Sequence, residues 1–483
     1  MKRCSIILIP GIVVCLGGCT LAPNYTRPKA PVPVDWPKGA AYQETLSATN
    51  ATDVQHLGWR EFFTDEKLQQ VIGTALTNNR DLRIAALNVE QTRAMYGIKR
   101  AELLPTVDAT GSESRQRLPP SLSGTTPPKR VTVTRYDANF GVASWEVDFF
   151  GRIRSLKDEA LDNYLATEQA RRSAQILLVS SVANAYLTLA ADRESLALAE
   201  TTLTVQQSTY TVIKRRHDLG IAADLDVQRA QTQVDAARRD IASFKQLTAQ
   251  DENALDLLVG LPAPGNLLPK ELNDITPPKD ISPGVSSEVL LRRPDVLQAE
   301  DLLKAAHADI GAARAAFFPR ISLTAAIGNA SSDLSGLFKA GQGAWSYAPQ
   351  IVMPIFDART WSAYTASEVQ RKIAVAQYEK AIQNAFREVA DALATRGTVD
   401  QQVSAQQSLV NAVAEAYRLS QSRYDKGIDN YLSVLDAQRS LYAAQQGLVS
   451  LHLAKLANQV QLYAVLGGGW NIESQPASQR AGR

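Results

Sequence analysis

The sequence predicts a mainly α-helical chain carrying a β part that cannot close without further copies of itself. Three observations predict it. The chain is internally duplicated: residues 417–467 lie without a gap on residues 210–260, so that Arg423, Gly427, Ile428, Leu432, Val434, Ala437 and Gln438 fall on Arg216, Gly220, Ile221, Leu225, Val227, Ala230 and Gln231. Each half holds two segments in which apolar and polar residues alternate with period two. Each half also holds a very long run, rich in Ala, Leu, Gln and Arg and free of proline, that reads as helix.

The start of the chain comes first. Lys2-Arg3 precede an apolar run over residues 4–16, and Leu16-Gly17-Gly18 lead into Cys19. The run is too short to span a bilayer and has the layout of a secretory signal, so residues 1–18 are expected to be removed. Removal takes Cys4 and Cys15 with it, and an exported chain with one remaining thiol forms no internal disulfide. Leu-Gly-Gly-Cys resembles the bacterial lipoprotein signal, which makes Cys19 the expected site of lipidation. Several acyl chains anchor a protein stably where one holds it marginally. Residues 19–58, with Pro23, Pro28, Pro31, Pro33 and Pro37, read as an extended tether.

Residues 59–260 form the first repeat. Ala85, Ala86, Val89 and Ala94 recur at helical spacing until Pro105 stops the run. Over about 106–150 the period becomes two: Tyr136, Ala138, Phe140 and Val142 alternate with Asp137, Asn139, Gly141 and Ala143, and a Pro-rich loop separates two strands. From Arg152 to about Leu219 there is neither proline nor glycine, which at 1.5 Å per residue is roughly 100 Å of helix. A turn at Gly220 and a return helix to Gly260 follow. Residues 261–284 are a Pro-rich connection whose position suggests an equatorial belt. Residues 285–467 repeat the plan, with 292–319 lying on 78–105, a second hairpin over about 320–356, a second long helix, a turn at Gly427 and a return to Gly467. Residues 468–483 are a polar tail.

Four strands with one apolar face do not close a barrel, for which about eight is the usual minimum. An open sheet in a bilayer would leave its edge groups unpaired. The strands therefore close against other copies, with two copies giving eight strands and three giving twelve. Composition excludes several function classes. Net charge is +2 with 21% charged residues and no long basic run, so nothing points to nucleic acid. His56, His217, His307 and His452 are scattered without acids or cysteines at ligand spacing, so no metal or other cofactor is expected. No phosphate loop or nucleophile elbow is present, and the chain is not expected to be an enzyme.

The residues resemble a known family, the TolC/OprM-type outer-membrane channel lipoproteins of tripartite efflux pumps. The resemblance rests on Leu16-Gly17-Gly18-Cys19, Gly58-Trp59-Arg60, Leu291-Arg292-Arg293-Pro294-Asp295, residues 312–319 and residues 429–439, and covers nearly the whole mature chain. It implies a homotrimer with a twelve-stranded β-barrel in the outer membrane of a Gram-negative bacterium and a twelve-helix barrel across the periplasm. It implies passive export of drugs and other small molecules, driven by an inner-membrane RND antiporter through a periplasmic adaptor. Thr20 after Cys19, where retained lipoproteins carry aspartate, fits the outer membrane. Two other classes share features: a channel exporting protein or polysaccharide, and a structural coiled-coil lipoprotein of the envelope.

The tips of the helical hairpins are the expected functional site. Leu432 and Asp436 lie one turn apart on one helix face, and the first repeat has Leu225 and Arg229 there. An exposed aspartate on a surface helix is the ordinary reading of Asp436. The resemblance instead implies a periplasmic gate of leucine and aspartate rings at Leu432 and Asp436, with Tyr424 as the bridging tyrosine and Asp226 its partner acid on the neighbouring hairpin. Asp429 stands where some members carry a bridging arginine, and Ser433 where some carry a second acid. Leu219, Gly220, Ile221 and Lys426, Gly427, Ile428 are the expected adaptor contacts, since exposed apolar turn residues mark contact sites.

Overall fold

The computed structural model describes residues 20–42, 54, 57–281 and 286–470. The signal segment, Cys19, His56 and residues 471–483 of the tail lie outside the described residues. Among the described residues eight α-helices and four strands follow in the order α1 (Trp59–Phe62), α2 (Glu66–Asn78), α3 (Arg80–Ala101), β1 (Asp108–Leu118), β2 (Val131–Val147), α4 (Arg152–Asp218), α5 (Asp224–Val259), α6 (Pro294–Ala315), β3 (Arg320–Ser331), β4 (Gly343–Val352), α7 (Ala358–Asp425) and α8 (Tyr431–Val465). The chain divides into two compact units that cut across the repeats. One holds the segment through Lys29, Val89–Thr167 and Ala299–Tyr378; the other holds Ala30–Asn88, Glu168–Gln298 and the chain from Glu379 on.

The first unit contains the strands. They form one antiparallel sheet in the order β1-β2-β3-β4, so β1 and β4 are unpaired edges. Cross-strand neighbours put Phe140, Ile327 and Trp345 in one row, Ala325 and Tyr347 in the next, and Ile321 and Ile351 further on. This face is apolar yet open, with Trp345 80% and Ile327 68% exposed. The opposite face carries Asp137, Asn139, Gly141, Ser322, Thr324 and Ser346, small or polar throughout. Alternation in β2 changes phase after Val142, and the structure gives the reason. Val142 pairs with Ala325 but Trp145 pairs with Leu323, so Ala143 and Ser144 bulge opposite Thr324. The bulge keeps Trp145 and Val147 on the apolar face, and Thr324 Oγ1 donates to the Ala143 carbonyl at 2.7 Å. Asp148 then starts α4 by accepting from the amides of Ile153 and Arg154 at 3.1 and 2.9 Å.

In the second unit the remainders of α4 and α7 pair with α5 and α8. Hydrophobic residues of α4, among them Val179, Val182, Ala183, Tyr186 and Leu187, are buried. This stretch is apolar and long enough to cross a membrane by composition, but its burial marks it as core. The connecting segment forms short 3-10 turns at Gly265–Leu267, Leu272–Asp274 and Ser287–Arg292. Tyr186 donates to the Leu267 carbonyl at 2.8 Å, and Arg193 reaches both the Pro269 carbonyl and Glu252 at 2.6 Å. Trp59, Phe62 and Phe63 are buried, with Phe62 stacked on Tyr463 at 4.0 Å.

Residues 20–39 are extended as their prolines require and Ala40–Tyr42 form a 3-10 turn, but the segment is docked rather than free. Within the first unit Arg27 Nε donates to buried Glu300 at 2.9 Å and Tyr25 donates to the same carboxylate at 3.0 Å. Within the second, Trp36 is buried against Phe386 at 5.3 Å and the Ser287 amide donates to the Val34 carbonyl at 2.8 Å. Gly397, the one glycine inside α7, is required here, because a Cβ would stand 2.1 Å from the Ala41 carbonyl oxygen.

Candidate functional site at the hairpin tips

Both long helices end in the same turn. Gly220 and Gly427 each sit at φ +72°. The Gly220 and Ile221 amides donate to the carbonyls of His217 and Arg216, both at 2.8 Å. Those of Gly427 and Ile428 donate to Tyr424 and Arg423, both at 2.9 Å. This doubled pattern is the Schellman termination, which needs a left-handed residue and so selects glycine. A Cβ on either glycine would meet nothing within 4 Å, so conformation and not space fixes the residue. Leu219, Ile221, Lys426 and Ile428 all project into solvent from these turns.

Behind the turns the two hairpins share a small core. Ile213, Val227 and Ala230 of the first pack with Tyr431, Val434 and Leu435 of the second, and Tyr210, Tyr417 and Tyr424 border them. Tyr431, Val434 and Leu435 occupy the buried face of α8, which leaves Leu432 and Asp436 on its open face. Leu432 is 38% exposed, and Asp436 makes no ion pair among the described residues. The structure thus puts Leu432 and Asp436 together on one open face. Tyr424 and Asp226 belong to the two facing hairpins, and no side-chain hydrogen bond joins them within the described chain. Asp226 lies 3.7 Å from Arg229, and the Tyr424 ring carries the Arg216 guanidinium 4.9 Å above its centre. Burial raises the Tyr424 hydroxyl pKa, nearby Arg216 lowers it, and the Asp226 charge adds to the rise.

The second turn has fastenings that reading the sequence for chemistry missed. Arg423 grips Asp429 across the turn through two nitrogens at 2.6 and 3.1 Å, which holds the Asp429 carboxyl below the usual range. Asn430 caps α8 by accepting from the Ser433 amide at 3.3 Å. The first turn has Ala222 and Ala223 at these positions, and α5 begins without a side-chain cap. Asn430 ahead of an apolar-periodic run is a legible helix-start signal. The Arg423–Asp429 pair is legible only once the two repeats are laid on each other. Arg439 donates to Gln233 at 3.0 Å and so ties the second hairpin to the first. The Tyr431 hydroxyl is buried without a hydrogen bond among the described residues, and burial drives its pKa up.

The family model for outer membrane efflux proteins matches residues 71–261 and 285–468, one match to each repeat. The probable efflux pump outer membrane protein TtgC of Pseudomonas putida is 49% identical over 479 residues, covering 99% of this chain and 98% of that protein. Among solved structures, a membrane protein from Pseudomonas aeruginosa superposes with a TM-score of 0.87 at 39% identity, covering 94% of this chain and 98% of that one. The open state of the Neisseria gonorrhoeae MtrE outer membrane channel superposes with a TM-score of 0.84 at 36% identity, covering 95% and 100%. With both repeats matched and the whole length covered, the chain belongs to the outer membrane efflux protein family, and its fold is that of an outer-membrane channel.

Proposed function

We propose that three copies of this chain form the exit duct of a tripartite efflux system, passing drugs and other small molecules without catalysis or cofactor. The observation that carries this reading is the sheet: four strands, two unpaired edges, one exposed apolar face and one small polar face. Such a sheet is stable in a bilayer only when β1 of one copy meets β4 of the next, and three copies supply the twelve strands of a barrel with a polar lumen. The helical hairpins supply twelve helices in the same way. An inner-membrane RND antiporter supplies the energy and a periplasmic adaptor joins it to Leu219, Gly220, Ile221, Lys426, Gly427 and Ile428. Cys19 carries the lipid anchor. Leu432 and Asp436 close the periplasmic end as rings about the threefold axis, with Tyr424 and Asp226 holding neighbouring hairpins together. The open face of α8 that carries Leu432 and Asp436 supports this reading, and so does the absence of a charge partner for Asp436 among the described residues.

The test is complementation. In a strain lacking its outer-membrane channel but keeping pump and adaptor, the chain should restore drug resistance, and cross-linking should trap trimers that hold the adaptor. Trimers that insert and conduct but restore only protein or polysaccharide secretion would replace this reading with the export channel. A chain recovered as helical bundles without heat-resistant β structure would replace it with the envelope coiled coil.

A further inference from the structure

We propose that the outer rim of the β part binds the phosphorylated glycolipid headgroups of the outer leaflet through Arg115, Arg117, Lys129 and Arg130. The proposal rests on the outer-membrane placement, with the strand ends that join the helices on the periplasmic side. The β1–β2 and β3–β4 connections are then at the outer surface. Pairing between β2 and β3 ends at Tyr136 and Ser331, while β1 and β2 continue as a two-stranded ribbon to Leu118 and Val131. Register decides which way its side chains point. Ala109 lies opposite Phe140, Glu113 opposite Tyr136, Arg115 opposite Thr134 and Arg117 opposite Thr132, so both arginines share the face of Phe140 and Trp345. That is the apolar, lipid-facing side. Tyr136 has the level of an interfacial aromatic, and Arg115 and Arg117 follow it at about 7 and 14 Å further along the strand. They leave the hydrocarbon where headgroups begin.

Charge separates this face from the other. Arg135, on the lumen face of the same ribbon, is neutralised by Asp137, with three contacts between 2.7 and 3.0 Å. Arg115, Arg117, Lys129 and Arg130 are all exposed and none has an acidic partner among the described residues. Glu113 shares the face of Arg115 and Arg117 but makes no ion pair with them. Unpaired guanidinium groups next to an apolar band complement a ligand with phosphate at one end and acyl chains at the other. Small soluble anions satisfy only half of that description.

The experiment uses the purified full-length assembly in plain detergent, titrated with micelles containing a bisphosphorylated, multiply acylated glycolipid. Retained lipid per assembly is read by native mass spectrometry, and the temperature of heat dissociation is read in parallel. The wild type should retain the lipid and dissociate at a higher temperature. The variant Arg115→Gln/Arg117→Gln/Lys129→Gln/Arg130→Gln should insert and show the same heat-resistant β structure in plain detergent, yet bind at least roughly tenfold more weakly. Arg135→Gln/Asp137→Asn, on the lumen face, should bind as the wild type does. Equal retention by the quadruple variant would overturn the proposal and leave the apolar band as the whole lipid contact. Displacement of the glycolipid by inorganic phosphate at matched concentration would overturn it in favour of a free-anion site. Full binding of the dephosphorylated glycolipid would overturn it as well. None of these outcomes touches conductance or drug resistance, so the duct reading is judged separately.

Discussion

Arg293 and Asn79 make a prediction about how the two halves are jointed. The repeats align them, and the structure gives them one task. Asn79 Nδ2 donates to the Leu258 carbonyl near the end of α5 at 2.9 Å, and Arg293 Nη1 donates to the Val465 carbonyl at the end of α8 at 2.7 Å. Leu258 and Val465 are themselves aligned positions. Arg293 does more, reaching Asp295 at 2.7 Å and Glu388 of α7 at 2.8 Å, and it is 7% exposed. Arg293→Ala removes charged hydrogen bonds of roughly 1.5–3 kcal/mol each. The two acids are more than a third exposed and regain water, so most of their share is returned. The Val465 carbonyl is buried and is not compensated, at about 1–3 kcal/mol. The expected loss is therefore about 2–4 kcal/mol per chain, below the value for breaking a fully buried pair. Arg293→Asn copies the first joint, can keep the carbonyl bond, and should lose about half as much. Glu388→Gln should lose the least. Denaturant midpoints of the purified assembly give the order, and hydrogen exchange at the last amides of α8 shows where it arises. Equal loss in the Ala and Asn variants would refute the carbonyl argument, and no loss in the Ala variant would refute the joint.

Three further outcomes are expected. Tyr424→Phe with Asp436→Ala should raise single-channel conductance in a planar bilayer and weaken cation preference, whereas His217→Phe with Arg229→Ala should do little; equal conductance would place the closure elsewhere. Ile221→Asp with Ile428→Asp should abolish adaptor cross-linking and export while trimers still form, because both side chains are exposed and support no core. Burial raises the Asp162 carboxyl to about 6, with Asp301 and Asp158 adding to the rise and Lys304 opposing it. The folded state holds that proton where the unfolded chain has released it, so stability falls as pH rises from about 4 to about 6. Asp162→Asn should remove that slope from the thermal midpoint, and an unchanged slope would exclude Asp162 as its source.

Elements set by local rules were legible in the sequence. Pro105, Gly220, Gly260, Gly427 and Gly467 punctuate helices because their backbone requirements are carried by single residues, and period two marks strands because one face meets lipid. What was not legible depends on contacts between distant segments. The prolines of residues 20–42 announce an extended chain, but nothing in them announces that Trp36 would be buried on Phe386 or that Arg27 would meet Glu300. Gly397 reads as a weak spot in a helix until the Ala41 carbonyl is seen against it. The bulge at Ala143 and Ser144 looks like a lapse in alternation until Trp145 is found on the apolar face. At the tips, Leu432 and Asp436 follow from helical spacing, whereas the stacking of Arg216 on Tyr424 requires both hairpins to be placed.

The duplication itself bears on how such a tip can work. Both turns share backbone geometry down to the glycine φ, so their different chemistry cannot be a by-product of different folds. The first hairpin is neutralised locally, with Arg229 beside Asp226, and is left without a capping side chain. The second is fastened by Arg423 on Asp429 and by the Asn430 cap, and it leaves the Asp436 carboxylate without an ion pair among the described residues. Local fastening holds the second tip, and in the proposed trimer the unpaired carboxylate on its open face would repel its own copies about the threefold axis. A rigid element with built-in repulsion stays closed only through bonds to something outside itself. The groups placed to supply them are on the first hairpin: Arg216 over Tyr424, Gln233 beside Arg439 and the acid Asp226. Two identical hairpins would each have to be both the moving part and its support. Divergence of the repeats would separate those roles, so under the proposed gate the changes that matter for opening are expected on the contacts between hairpins rather than within either one.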